Sequence, residues 1–228
     1  MENVFEGIQV SKKKPLWEEV YDSLRRSILH GKLKVGQHLI EEKLAHQIGI
    51  SRTPIREAFY KLEKDDLVTR LPTRGFAVRR FTKEDVEEIF GIRIALESYA
   101  ASLATPHMTS DKMAVLEKKL EETERAIRNK DNTKVIQLHA DFHDLLYKSS
   151  KSKKLVQMIQ NFSDYFHRYR IGLIRTEDNV EYTVKDHRRM LEAMEKKKPR
   201  LVESLVREHL ERTREIVLKA IDQGKMIP

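Results

Sequence analysis

Helix breakers are unevenly placed along this 228-residue chain, and their placement constrains the fold more than any other feature. Gly31, Gly36, Gly49, Pro54, Pro72 and Gly75 all fall within the first eighty residues. Beyond Gly91 long stretches run at helical period with few interruptions. With 8 Gly and 6 Pro in total, the chain lacks the turns that a sandwich or barrel needs. The expected fold is mainly α, with a small turn-rich N-terminal domain followed by an antiparallel all-α bundle. The boundary is placed near Arg80–Thr82, giving a flexible arm over 1–14, a domain over 15–80 and a helical domain over 81–228.

Charge follows the same division. Residues 1–80 carry 16 Lys/Arg against 11 Asp/Glu, a net of +5, whereas residues 81–228 carry 28 against 25. A basic excess concentrated in a small domain points to a polyanion, with nucleic acid first. The alternative is a basic surface that only solubilises. Cysteine is absent, which excludes disulfides and thiolate metal sites and fits a reducing cytoplasm. No apolar run approaches the roughly 18 residues of a membrane span, and the first twenty residues lack the apolar region of a signal peptide.

Within 15–80 the spacing predicts a winged helix-turn-helix. Leu16, Val20, Leu24 and Ile28 lie at helical spacing. A short second helix over Glu41–Ile48 places Leu44, Ala45 and Ile48 on one face, and Gly49 permits the tight turn that follows. Ser51 suits an N-cap, Pro54 suits the first turn, and Ile55, Ala58, Phe59 and Leu62 form the buried stripe of a third helix. Val68–Leu71 and Phe76–Arg79 then form a two-stranded wing with a basic tip at Thr73, Arg74 and Gly75. The third helix begins with Arg52, Thr53 and Arg56. Arginines there suit phosphate or bidentate guanine contacts, and Arg74 suits the electronegative minor groove. The competing reading is an ordinary helical hairpin with solvated arginines.

The run Gly36-Gln37-His38-Leu39-Ile40-Glu41-Glu42-Lys43-Leu44-Ala45, then Ile48-Gly49-Ile50-Ser51-Arg52-Thr53-Pro54-Ile55-Arg56-Glu57-Ala58, and finally Pro72-Thr73-Arg74-Gly75-Phe76-Ala77-Val78, resembles the GntR family of bacterial transcription regulators. The resemblance implies that Arg52, Thr53 and Arg56 contact operator DNA and that Gly75 approaches the minor groove. Many relatives carry a DNA-contacting arginine where this chain has Glu42, so that contact is lost or replaced, with Lys43 as the candidate.

The second domain opens at Thr82-Lys83-Glu84-Asp85, an N-cap with an acidic first turn. Further helices are expected at about 110–129, 132–149, 152–175, 181–197 and 199–223. His139 and His143 are four apart and share a helix face. Both imidazoles can address one metal ion, whereas Asp141 faces away. His187 and His209 fall on two later helices. Ordinary core or surface histidines are the alternative.

Residues 82–223 resemble the ligand-binding domain of the FadR subfamily, called FCD. The marks are Arg93-Ile94-Ala95-Leu96-Glu97, the Phe142-His143 pair, Asp186-His187-Arg188-Arg189-Met190-Leu191-Glu192-Ala193-Met194, and Arg207-Glu208-His209-Leu210. Many members bind a divalent metal through one Asp and three His. The histidines correspond to His143, His187 and His209, and the Asp position is His139 here. An all-imidazole set suits Zn²⁺, Ni²⁺ or Co²⁺ over Mg²⁺ or Ca²⁺. The subfamily commonly senses organic acids. A carboxylate effector at the metal would pair with an arginine, for which Arg93, Arg168 and Arg170 are candidates, although Arg93 equally suits Glu97 at i,i+4.

The sequence therefore reads as a regulator that binds a palindromic double-stranded operator as a homodimer, under effector control, with no enzymatic activity. Three alternatives remain at this point: a metal-dependent hydrolase, an architectural DNA-binding protein without effector, and a helical adaptor. A hydrolase needs a general base beside the metal, and Glu208, next to His209, points about 100° away on its helix.

Overall fold

The computed structural model describes residues 14–80, 82–162 and 177–223. The chain divides into two compact units, Met1–Arg80 and Phe81–Pro228.

In the first unit, helix α1 (Leu16–Leu29) buries Val20, Leu24, Ile28 and Leu29. Leu16, expected on that stripe, is 46% exposed, because the buried face begins one turn later at Val20. Strand β1 (His38–Leu39) leads into α2 (Glu41–Ile48). Gly49 then takes a left-handed φ of 77° and its N–H reaches the Ala45 carbonyl at 2.9 Å, which turns the chain sharply into α3 (Arg52–Lys64). Ile48, expected to face inward with Leu44 and Ala45, is 49% exposed where α2 ends at this turn. Ser51 holds the N-cap position without a side-chain capping bond. Ile55, Ala58, Phe59 and Leu62 are each 0% exposed and form the inner face of α3.

Strands β2 (Val68–Arg70) and β3 (Phe76–Val78) complete an antiparallel sheet in the order β1-β3-β2. The wing thus has three strands where the sequence reading has two. His38 pairs with Ala77 and Leu39 with Phe76, over a length too short for alternation to reveal. Leu71 and Arg79, expected within strands, lie just outside the ladder; the Leu71 N–H closes the tip onto the Gly75 carbonyl at 3.0 Å. Phe76 stacks on Phe59 with ring centroids 4.8 Å apart, which ties the sheet to α3.

Gly75 is fixed by two independent constraints. Its φ is 82°, and a Cβ there would lie 2.5 Å from the Leu39 carbonyl oxygen. Alanine must therefore push β1 away from the turn at Gly75. Gly75→Ala is expected to lower stability by about 1–3 kcal/mol, read as an earlier urea midpoint; an unchanged midpoint would contradict this packing.

The second unit begins with a complete capping box. The Asp85 N–H donates to the Thr82 hydroxyl oxygen and the Thr82 N–H donates to the Asp85 carboxylate, at 3.2 and 2.7 Å. Helix α4 (Lys83–Ala104) follows, then a 3₁₀ turn (Thr105–His107), α5 (Ser110–Arg128) and α6 (Asn132–Lys148). Helical backbone over 153–162 forms α7, so the expected helix over 152–175 is described only in its first part. Helices α8 (Glu177–Glu195) and α9 (Pro199–Asp222) close the order, α8 starting four residues earlier than expected. Helix α4 packs on α9, α5 on α6 and α8, and α8 on α9. Leu116, Phe142, Leu146, Met190 and Val206 meet in the core. Among the described residues this unit holds no strand, and no helix is long and apolar enough to cross a membrane.

Candidate functional site

The first unit displays one basic edge. Arg52, Thr53 and Arg56 are exposed at the start of α3, whereas Ile55, Ala58, Phe59 and Leu62 are buried. Arg52 is exposed as the first residue of the helix, and Arg56 and Thr53 lie about 100° and 160° round from Ile55. Lys43 is exposed on α2, and Thr73 and Arg74 are exposed at the wing tip beside Gly75. The Arg74 guanidinium is ion-paired with Glu42, bridging wing and α2 with both side chains more than half exposed. Glu42, on α2, is thus the partner of the wing arginine. Such exposed pairs contribute about 0–1 kcal/mol.

The second unit gathers four imidazoles from three helices. His139 and His143 come from α6, His187 from α8 and His209 from α9. One ring nitrogen of each lies within 4.8 Å of the others. His143 Nε2 and His187 Nε2 lie 3.1 Å apart. His143, His187 and His209 are 7%, 2% and 4% exposed, and His139 is partly buried. Phe142 stacks face to face on His187 at 4.2 Å and fixes its ring plane. Asp141 lies on the other side of α6, bound to Lys119 and Gln137 at 3.1 and 2.7 Å.

The donor set fits a divalent transition metal. A metal with nitrogen bonds of ~2.0–2.1 Å requires its donors to lie about 3–4 Å apart, which these nitrogens approach. Burial, reinforced by the neighbouring His209, pushes the His187 imidazole well below its ordinary pKa, so it stays neutral and able to ligate. All four donors are nitrogen, a set that favours Zn²⁺ or Ni²⁺ over oxygen-seeking cations.

Carboxylates stand behind the imidazoles. Asp186 Oδ2 lies 3.2 Å from His209 Nδ1 and accepts from Arg212 Nη1 at 2.5 Å. Burial pushes the Asp186 carboxyl up, but the His209 and Arg212 hydrogen bonds outweigh it and leave the group below the usual carboxylate range. On the opposite side, Tyr147 Oη lies 3.0 Å from His143 Nδ1 and donates to Glu97 Oε2 at 2.5 Å. Arg93 Nε donates to Glu97 Oε1 at 2.7 Å, with both side chains buried. Of the two roles open to Arg93, the structure shows the pairing with Glu97. Arg168 and Arg170 lie outside the described residues.

Sequence reading missed Tyr147, Arg212 and the role of Asp186. Tyr147 follows His143 by four residues, a spacing that signals contact. Asp186 adjoins His187 in sequence yet serves His209 on another helix, which no local spacing announces. Glu208, the only general-base candidate of the hydrolase alternative, turns to Arg189 at 3.4 Å and Ser204 at 3.3 Å.

Known proteins share both units. Residues 88–212 match the FCD domain, and residues 16–78 match the bacterial regulatory proteins of the gntR family. The chain is 34% identical to the HTH-type transcriptional regulator YdhC of Bacillus subtilis over 96% of its own length and 99% of that protein. It is 28% identical to the HTH-type transcriptional repressor RspR of Escherichia coli, over 92% of each chain. The solved structure of E. coli McbR/YncC superposes with a TM-score of 0.71 at 25% identity, covering 92% of this chain and all of that one.

Proposed function

Because this chain belongs to the GntR family of bacterial transcriptional regulators and carries an FCD domain, we propose that it binds a palindromic operator as a homodimer under control of a small carboxylate effector. The FCD domain would pair two copies, since a two-fold protein reading a two-fold site doubles its contacts. Helix α3 would enter the major groove with Arg52, Thr53 and Arg56, while Lys43, Thr73, Arg74 and Gly75 would lie along backbone and minor groove. The observation that carries this reading is the exposed Arg52–Arg56 edge standing on a fully buried stripe.

His139, His143, His187 and His209 would hold a zinc or nickel ion. When bound, the ion would supply positive charge and coordination positions for effector carboxylate oxygens. The chain's own residues bury the cluster, keep the His187 imidazole neutral and hold the rings. An effector acts on DNA binding only if it favours one arrangement of the protein over another, and the segment Arg79–Thr82 is the proposed hinge.

Fluorescence anisotropy with the DNA upstream of the chain's own operon, against random DNA at one ionic strength, tests the regulator reading. The expected preference is at least ~10³-fold; equal affinity for both sequences would overturn it. The same assay tests the wing. Glu42→Gln frees Arg74 and removes a negative charge near phosphate. It is expected to tighten binding several-fold and steepen the log–log salt dependence by about one. An unchanged slope would contradict a role for Arg74 at the phosphate backbone.

A further inference from the structure

The histidine cluster is held from behind by two relays that start on arginines and end on Nδ1 nitrogens. The first runs from Arg93 through Glu97 and Tyr147 to His143. The second runs from Arg212 through Asp186 to His209. We propose that Tyr147 with Glu97, and Asp186 by itself, are positioning residues that hold His143 and His209 as Nδ1–H tautomers and so make Nε2 the donor each offers a metal.

The direction of each hydrogen bond follows from what its members can do. A phenol has one proton, and that of Tyr147 goes to the Glu97 carboxylate at 2.5 Å. The phenol oxygen then faces His143 Nδ1 as an acceptor at 3.0 Å, so that nitrogen carries the hydrogen. The lone pair of His143 is left on Nε2, the atom that meets His187 Nε2 at 3.1 Å. Asp186, paired with Arg212, is acceptor-only, so His209 Nδ1 at 3.2 Å is likewise the donor. Its lone pair is also on Nε2.

Charge completes the argument. Each carboxylate has its own arginine, Glu97 with Arg93 and Asp186 with Arg212. The relays therefore orient the imidazoles and raise their basicity without adding net charge to a neutral nitrogen set. The Arg93–Glu97 pair, costly to bury by itself, has a purpose here: it fixes the acceptor that commits the tyrosine proton.

This inference rests on reading the cluster as a metal site, and the test separates the two. Full-length protein is stripped, reloaded with Zn²⁺, and compared with Tyr147→Phe, Asp186→Asn and the control Asp141→Asn. Affinity is measured against a chromophoric chelator, and imidazole nitrogens are assigned by long-range ¹H–¹⁵N NMR. The wild type is expected to bind Zn²⁺ through Nε2 of His143 and His209, each with a proton on Nδ1. Tyr147→Phe and Asp186→Asn are expected to weaken Zn²⁺ about 10–100-fold, with Asp141→Asn unchanged. Zinc bound through Nδ1 of either histidine, or both relay variants binding like wild type, would overturn the positioning roles and leave the metal reading intact. If the wild type binds no Zn²⁺, the metal reading falls and this inference with it. The wild-type spectrum decides the donor atoms even where a variant fails to fold.

Discussion

Replacing Arg52 and Arg56 together with alanine is expected to abolish selective operator binding and leave the fold intact. A good bidentate contact to a base contributes roughly 1–3 kcal/mol of discrimination, and each protomer of the proposed dimer would lose two. The combined effect is at least ~10³-fold in affinity for the operator, with much less change on random DNA, where phosphate contacts dominate. Folding is spared for a structural reason. Both side chains are exposed, while the stability of α3 resides in the buried Ile55, Ala58, Phe59 and Leu62. Surface substitutions of this kind stay within about 0.5 kcal/mol. Anisotropy against operator and random duplexes, together with a melting curve, measures both halves. Retained selectivity would show that another edge of the domain reads the sequence.

His143→Ala carries the second large effect. This residue is 7% exposed and sits between His187 and Tyr147, so its loss removes a donor and the end of one relay together. Wild-type protein purified without chelator is expected to hold stoichiometric zinc or nickel by elemental analysis, and the variant close to none. Added Zn²⁺ at a hundred times its dissociation constant should stabilise wild type by ~2.7 kcal/mol and the variant hardly at all. Unloaded protein separates this from simple damage, because deleting a buried side chain lowers stability even without metal. Equal metal content in both proteins would remove the cluster as a metal site.

The sequence carried much of the architecture because the strongest signals were local. The Ile55–Leu62 stripe, the turn at Gly49 and the capping box at Thr82 each depend on residues within one or two turns. Strand β1 escaped because two residues have no periodicity, and its existence depends on β3 arriving from 37 or 39 positions away. Ile48 and Leu16 were misplaced because hydrophobic period says which face is apolar, not where a partner helix stops covering it.

The histidine cluster divides in the same way. The pairing of His139 with His143 was visible at i,i+4, whereas their meeting with His187 and His209 depends on three helices converging. Resemblance to the FCD domain supplied that convergence; spacing by itself left it open. The relays were the least legible part. Asp186 bonds across to His209 from the helix next door, and Glu97 reaches Tyr147 across fifty residues. The Glu42–Arg74 pair joins α2 to the wing tip over 32 positions, so the sequence showed an unexpected acid but not its partner.

The regulator reading meets its most direct test in selection from randomised duplexes, run in parallel with the wild-type chain and the Arg52→Ala/Arg56→Ala variant. The wild type should enrich a single sequence with two-fold symmetry, and the variant should enrich none. Enrichment of the same sequence by both proteins, or of no sequence by the wild type, would contradict the assignment of the α3 edge as the DNA-reading surface.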